Sequence, residues 1–148
     1  MTISVRPLKQ ADRAAWLPLW LGYNAFYNRP TVAEALTDTT WGRLMAADWP
    51  MHALGCFEGE TLLGITHYLF HDSTTMIEKT CYLQDLFTVP EARGKGVERA
   101  LIEAVYAAAK QAGSPRMYWH THETNATAQA LYDKVAEKPG FIMYRKAV

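Results

Sequence analysis

Residues 86–97 read Leu86-Phe87-Thr88-Val89-Pro90-Glu91-Ala92-Arg93-Gly94-Lys95-Gly96-Val97. An apolar strand runs into a turn with two glycines, and the turn opens into a helix. Glycine has no Cβ, so the backbone there can approach a ligand closely. The first amides of a helix have no partner within it and point outward along its axis. With the helix dipole they make an anion site suited to phosphate. Arg93 and Lys95 add positive charge at its rim. A Walker loop has a different spacing, and a dinucleotide fingerprint would need glycine where Arg99 stands. The plainer reading of the same residues is a helix start after a glycine turn.

Asp85 stands just before this segment, on an otherwise apolar strand. Burying a carboxylate without partners is costly, so it needs a reason to be there. Its plain reading is a structural aspartate that bonds a neighbouring loop. Asn125 is placed to cap a short helix. His120 and His122 are two apart and share a side of an extended chain, but no further ligands stand nearby to make a zinc site. His67 and His71 belong to no motif. Cys81 has no paired base and reads as a buried strand cysteine.

The elements that must hold these residues follow from periodicity. Residues 3–7 form a first strand, stopped by Pro7. Asp12 opens a helix through Trp16, Leu19, Trp20, Tyr23, Phe26 and Tyr27, an aromatic stripe that Pro18 is expected to kink or delay. That stripe is core. Thr31 and Glu34 suit a capping box for a second helix towards Ala46 and Ala47. Strands are predicted at 53–58, 62–70 and 78–89. A helix covers 94–112, with Val97, Leu101 and Val105 inward. A strand at 117–121, a helix at 125–136 and a last strand at 141–145 complete the chain. The order β-α-α-β-β-β-α-β-α-β defines a mixed α/β sheet, with a parallel, right-handed unit from Cys81 to Thr121.

The 148 residues suit one domain spanning 1–148. With 49% apolar and 20% charged residues, the chain reads as globular, not disordered. Lys+Arg and Asp+Glu number 15 each, so no overall basic field exists to grip nucleic acid. Two cysteines cannot form a disulfide framework, which suits a reducing cytoplasm. Residues 1–13 carry no signal-like apolar stretch, and no window is apolar enough to span a membrane. No nucleic-acid or membrane partner is expected.

The run from Asp85 to Val97, with Ala100-Leu101 after it, resembles the acetyl-CoA motif of the GNAT N-acetyltransferases, [QR]-x-x-G-x-[GA]. Tyr118-Trp119-His120-Thr121, Thr124-Asn125-Ala126-Thr127-Ala128, Leu131-Tyr132-Asp133-Lys134 and Gly140-Phe141 resemble the family's second half, closest to its histone/polyamine subgroup. Counted from Arg93, the motif places Glu98 where Gly or Ala is usual. Counted from Glu91, both glycines fit and Glu91 replaces Gln or Arg. Glu98 either opposes a pyrophosphate or points outward as a favourable anion in the first helical turn. Gln84 stands where polyamine acetyltransferases often carry a first carboxylate before Asp85.

The resemblance implies a GNAT-like fold and acetyl-CoA as cosubstrate. It implies that backbone near Phe87 and Val89 holds the pantetheine arm, and that an amide near Leu86 polarises the acetyl carbonyl. The amides of Arg93, Gly94, Lys95, Gly96, Val97 and Glu98 would hold the pyrophosphate. Asn125 would also touch the pantetheine region. Tyr132 would protonate the departing thiolate, a role that suits a phenol. Asp85 would serve the acceptor, a small cationic or polyamine-like amine or a protein lysine. A CoA-binding sensor without turnover is the alternative. The family also implies a homodimer.

Overall fold

The computed structural model describes residues 2–148. The elements are β1 (Ser4–Pro7), α1 (Arg13–Phe26), α2 (Glu34–Met45), β2 (Met51–Glu58), β3 (Thr61–Ser73), β4 (Met76–Thr88), α3 (Val97–Gln111), β5 (Met117–Tyr118) and α4 (Ala126–Val135). The strands form one sheet in the order β1-β2-β3-β4-β5. Neighbours run antiparallel except β4 and β5, which run parallel. The mixed α/β class expected from the sequence is the one observed.

Helices cover both faces of this sheet. On one face, Trp16, Leu19 and Trp20 of α1 and Trp41 and Leu44 of α2 pack on Ala53, Phe57, Leu62 and Ile65. The Trp20 indole donates to the Thr37 hydroxyl at 3.0 Å and ties α1 to α2. On the other face, Val97, Leu101, Ile102 and Val105 of α3 pack on Leu54, Cys56, Leu63, Tyr68, Cys81 and Leu83. Val97, Leu101 and Val105 are fully buried, each contributing about 1.5–3 kcal/mol. Gly64 lets α3 sit close: a Cβ there would lie 2.6 Å from Val97. This contact seats the first turn of α3 against β3 and so fixes the glycine turn ahead of it.

Four local expectations are corrected. Pro18 neither breaks nor delays α1, which begins at Arg13 and carries Pro18 inside. At that position it removes only the bond to the Ala14 carbonyl. The Thr31–Glu34 capping box does not form, because α2 starts at Glu34 with Ala33 as its cap. Helix α3 starts at Val97, not 94, because Gly96 takes the left-handed region at φ 84 and acts as its cap. Residues 141–145 form no strand. β5 pairs at Met117 and Tyr118 only, so it offers no ladder for a further strand. Phe141, Ile142, Met143 and Tyr144 are all exposed.

Candidate active site

One irregularity in β4 decides which side chains face which way. His67 pairs with Asp85 and Tyr68 with Leu83, so Gln84 has no partner on β3. A single extra residue of this kind is a β-bulge and re-aims the side chains around it. Before it, Cys81 and Leu83 face α3; after it, Leu86 packs on the α3 face while Phe87 packs towards α1. Asp85 therefore turns towards α1, where its Oδ2 lies 2.8 Å from His67 Nδ1. Trp16 Nε1 donates to the other ring nitrogen, His67 Nε2, at 3.0 Å.

Tyr23 of α1 faces Asp85. Burial first, then the Asp85 charge and a hydrogen bond to it, push its phenol well above the ordinary tyrosine value. Tyr27 is raised by burial, then by Asp85 and weakly by Glu98. Tyr132 is raised strongly, by burial first and then by Glu98 and Tyr27. Burial raises the Glu98 carboxyl too, against the pull of Arg93. These effects link Asp85, Tyr23, Tyr27, Glu98 and Tyr132 as electrostatic neighbours, although they come from β4, α1 and its C-terminal cap, α3 and α4. Tyr132 also meets Trp119 edge to face, with ring centroids 5.5 Å apart.

Backbone geometry along β4 completes the cleft. β4 and β5 pair at Cys81↔Met117 and Tyr82↔Tyr118 and then part. Beyond Tyr82 the β5-facing edge of β4 carries no strand. Antiparallel pairs alternate between facing the partner strand and facing away. The Val89 amide donates to the Leu63 carbonyl at 2.9 Å, which fixes the phase. Val89, Phe87 and Asp85 thus bond β3, while Leu86 and Thr88 turn their backbone groups to the open edge. This corrects the expectation for Phe87 and Val89: their backbone groups serve the sheet. The Val89 carbonyl also accepts from Ala92 at 3.0 Å. The Leu86 amide is among the groups that this phase turns to the open edge. The Thr88 hydroxyl is buried without a partner.

The glycine turn lies at the end of this edge. Gly94 and Gly96 have φ of 76 and 84, and a Cβ at either would meet nothing within 4 Å. The Arg93 amide already donates to the Pro90 carbonyl at 3.3 Å, so it drops out of the expected amide set. Among the described residues no hydrogen-bond acceptor takes the amides of Gly94, Lys95, Gly96, Val97 or Glu98. The Val97 side chain is core. Arg93 and Lys95 are exposed beside the turn. Free amides, open space and a bare strand edge fit a diphosphate with an extended arm. Asn125 caps α4 as expected, its Oδ1 accepting from the Ala128 amide at 3.3 Å.

The sequence reading missed several residues here. Tyr82 and Tyr118 are in register on parallel strands and stack at 4.8 Å. Tyr118 meets His71 Nε2 at 2.7 Å, and Tyr82 meets His120 Nδ1 at 3.3 Å. Burial first, then Tyr118 and the Asp85 charge, raise the Tyr82 phenol, and the row runs along β4 and β5 from the Asp85 end. Cross-strand placement alone reveals it. Among the described residues no three His, Cys, Asp or Glu side chains gather as a metal site. No helix there is long and apolar enough to cross a membrane.

A mixed sheet that splays beside a glycine-capped helix, with titratable groups at the splay, defines an acyl-CoA-dependent acyltransferase scaffold. A profile of the acetyltransferase (GNAT) family matches residues 14–136, and the chain belongs to that family. The D-amino-acid N-acetyltransferase of Saccharomyces cerevisiae is 36% identical over 146 residues, covering 97% of this chain and 90% of that protein. The chain is accordingly an acetyl-CoA-dependent acyltransferase. That relative's name gives no support to the histone/polyamine subgroup that the motifs resemble. Two solved structures share the fold. The ribosomal-protein-alanine N-acetyltransferase from Brucella melitensis biovar Abortus 2308 aligns with a TM-score of 0.81 at 18% identity, covering 99% of each chain. The aminoglycoside N-acetyltransferase AAC(6')-Iy, solved with a CoA bisubstrate analogue, aligns at 0.84 and 19%, covering 100% of each.

Proposed function

We propose that this protein transfers the acetyl group of acetyl-CoA to the primary amine of a small cationic molecule by direct attack. The observation that carries this reading is the bulge at Gln84, which turns Asp85 into the cleft beside Tyr23 and Tyr27. A carboxylate beside tyrosine faces suits an ammonium group. Polyamine-like amines, amino acids and lysine side chains all present one. The yeast relative's name adds D-amino acids to the candidates.

In this reading the amides of Gly94 to Glu98 hold the pyrophosphate, with Arg93 and Lys95 at the rim. The outward backbone groups of Leu86 and Thr88 pair with the pantetheine arm. The Leu86 amide faces the acetyl oxygen. The thioester supplies the acetyl group. Asp85 takes one proton from the acceptor ammonium and releases it to water, leaving a neutral amine. As the C–N bond forms and the C–S bond breaks, Tyr132 gives its proton to the sulfur and regains one from the nitrogen. An ammonium and a thioester thus become an amide, a thiol and one proton in water.

An amine panel tests this: spermidine, a lysine peptide, D- and L-amino acids and an aminoglycoside, read as thiol release. Turnover with at least one small amine is expected. CoA binding without thiol release above hydrolysis would replace this reading with that of a CoA sensor, for which the half-buried Glu98 carboxylate beside the diphosphate turn is the supporting feature.

The reading extends to the whole molecule. Residues 1–148 act as one acetyltransferase domain. The exposed run Phe141, Ile142, Met143 and Tyr144 supports a homodimer, and the buried free thiols of Cys56 and Cys81 suit the cytoplasm.

A further inference from the structure

Asp85 is held from inside the core by a chain of two hydrogen bonds. Trp16 is fully buried and His67 is 2% exposed. An indole N–H only donates, so His67 Nε2 must accept from it. The ring proton therefore sits on Nδ1, which donates to Asp85 Oδ2. A second ring proton would set two N–H groups against each other, so His67 is neutral in this geometry. The groups facing the pair are few. Trp16 and Trp20 cover the ring from α1, with centroids 6.1 and 5.9 Å away. The phenols of Tyr23 on α1, Tyr27 just past its end and Tyr82 on β4 are raised by burial first and then by the Asp85 charge, Tyr82 after its neighbour Tyr118. Among the described residues no lysine or arginine pairs with Asp85.

We propose that Trp16 and His67 are positioning residues that present Asp85 to the acceptor amine. Trp16 fixes the imidazole tautomer, and His67 then engages one carboxylate oxygen. Of roughly four lone-pair directions on a carboxylate, His67 takes one, and the rest remain for the ammonium. His67 lies directly opposite Asp85 on β3, beside the bulge, so the same irregularity that turns Asp85 outward gives it this anchor. The inference deepens the acetyl-transfer reading and rests on it.

Two measurements test it. In the 15N-labelled full-length protein, two-bond proton–nitrogen correlations show which nitrogen of His67 carries the proton. Nδ1–H with a bare Nε2 is expected, and Trp16→Phe should release a tautomer mixture. Proton residence on Nε2 in the parent protein overturns the proposal. The kinetic test compares His67→Asn, whose amide can still donate to Asp85, with His67→Leu, which cannot. His67→Leu is expected to lower kcat/KM for the amine tenfold or more, with KM for acetyl-CoA within twofold. His67→Asn should recover much of that loss. Equal losses in the two variants, or a matching rise in KM for acetyl-CoA, would reduce His67 to a packing residue. If the parent releases no thiol with any amine, the acetyl-transfer reading fails, and the proton position alone decides whether this anchor exists.

Discussion

The Trp119 indole meets the Tyr132 phenol edge to face, with 5.5 Å between centroids and 72° between planes. Trp119 follows β5 and Tyr132 lies in the middle of α4, so this contact clips the helix to the end of the splayed strand. It uses the ring, not the hydroxyl. Tyr132→Phe should therefore keep the fold, with a melting temperature within a few degrees of the parent, and lose roughly a hundredfold in kcat. Because the phenol is pushed up by burial, its ionisation should not shape the rate profile below about pH 10. Full turnover in the variant would remove Tyr132 from the reaction.

Glu98 tests the electrostatics of the turn. Its carboxyl is raised chiefly by burial. A raised acid stabilises the fold below its unfolded value, and that contribution is lost as pH rises through the folded value. Glu98→Gln should therefore melt higher than the parent at pH 8, with the difference shrinking towards about pH 4. It should also bind CoA roughly threefold to tenfold more tightly, about 1 kcal/mol of relieved repulsion. Calorimetric titration at pH 8 reads the affinity, and an unchanged Kd would mean that Glu98 does not face the diphosphate.

Glycine substitutions separate strain from collision. At Gly96 an added Cβ meets nothing, but φ is 84, so Gly96→Ala should cost about 1 kcal/mol and displace the amides around it. CoA affinity should fall more than stability. Gly22 is the opposite case: a Cβ would lie 2.8 Å from the Phe87 ring. Gly22→Ala should cost about 1–3 kcal/mol in chemical denaturation by wedging α1 off β4.

The exposed C-terminal run predicts association. Phe141 is 91% and Tyr144 89% exposed. Sedimentation should show a dimer for the parent and a monomer for the double variant Phe141→Asp, Tyr144→Asp. A monomeric parent would end the homodimer proposal.

Local signals in the sequence were reliable where a residue acts through its own backbone. Gly94 and Gly96 announce the turn, Asn125 announces the α4 cap, and Val97, Leu101 and Val105 announce the inward face of α3. Long-range pairing was not legible. Trp16 and His67 stand 51 positions apart, and no local pattern joins them. The phase of β4 escaped notice for the same reason, since only the opposite strand reveals that Gln84 is unpaired. Residues 141–145 carry a strand-like pattern, but a strand needs a free edge as well as a pattern, and β5 is too short to supply one.

Gln84 also sets a reading frame within the sheet. Up to Leu83, β4 alternates like any packing strand; past Gln84, odd positions and even positions trade faces. Were Gln84 drawn into regular pairing with β3, every later position would change sides: the Asp85 carboxylate would enter the apolar layer under α3 and Leu86 would leave it. Removing Gln84 altogether would instead leave both on their present faces and take away only the local kink.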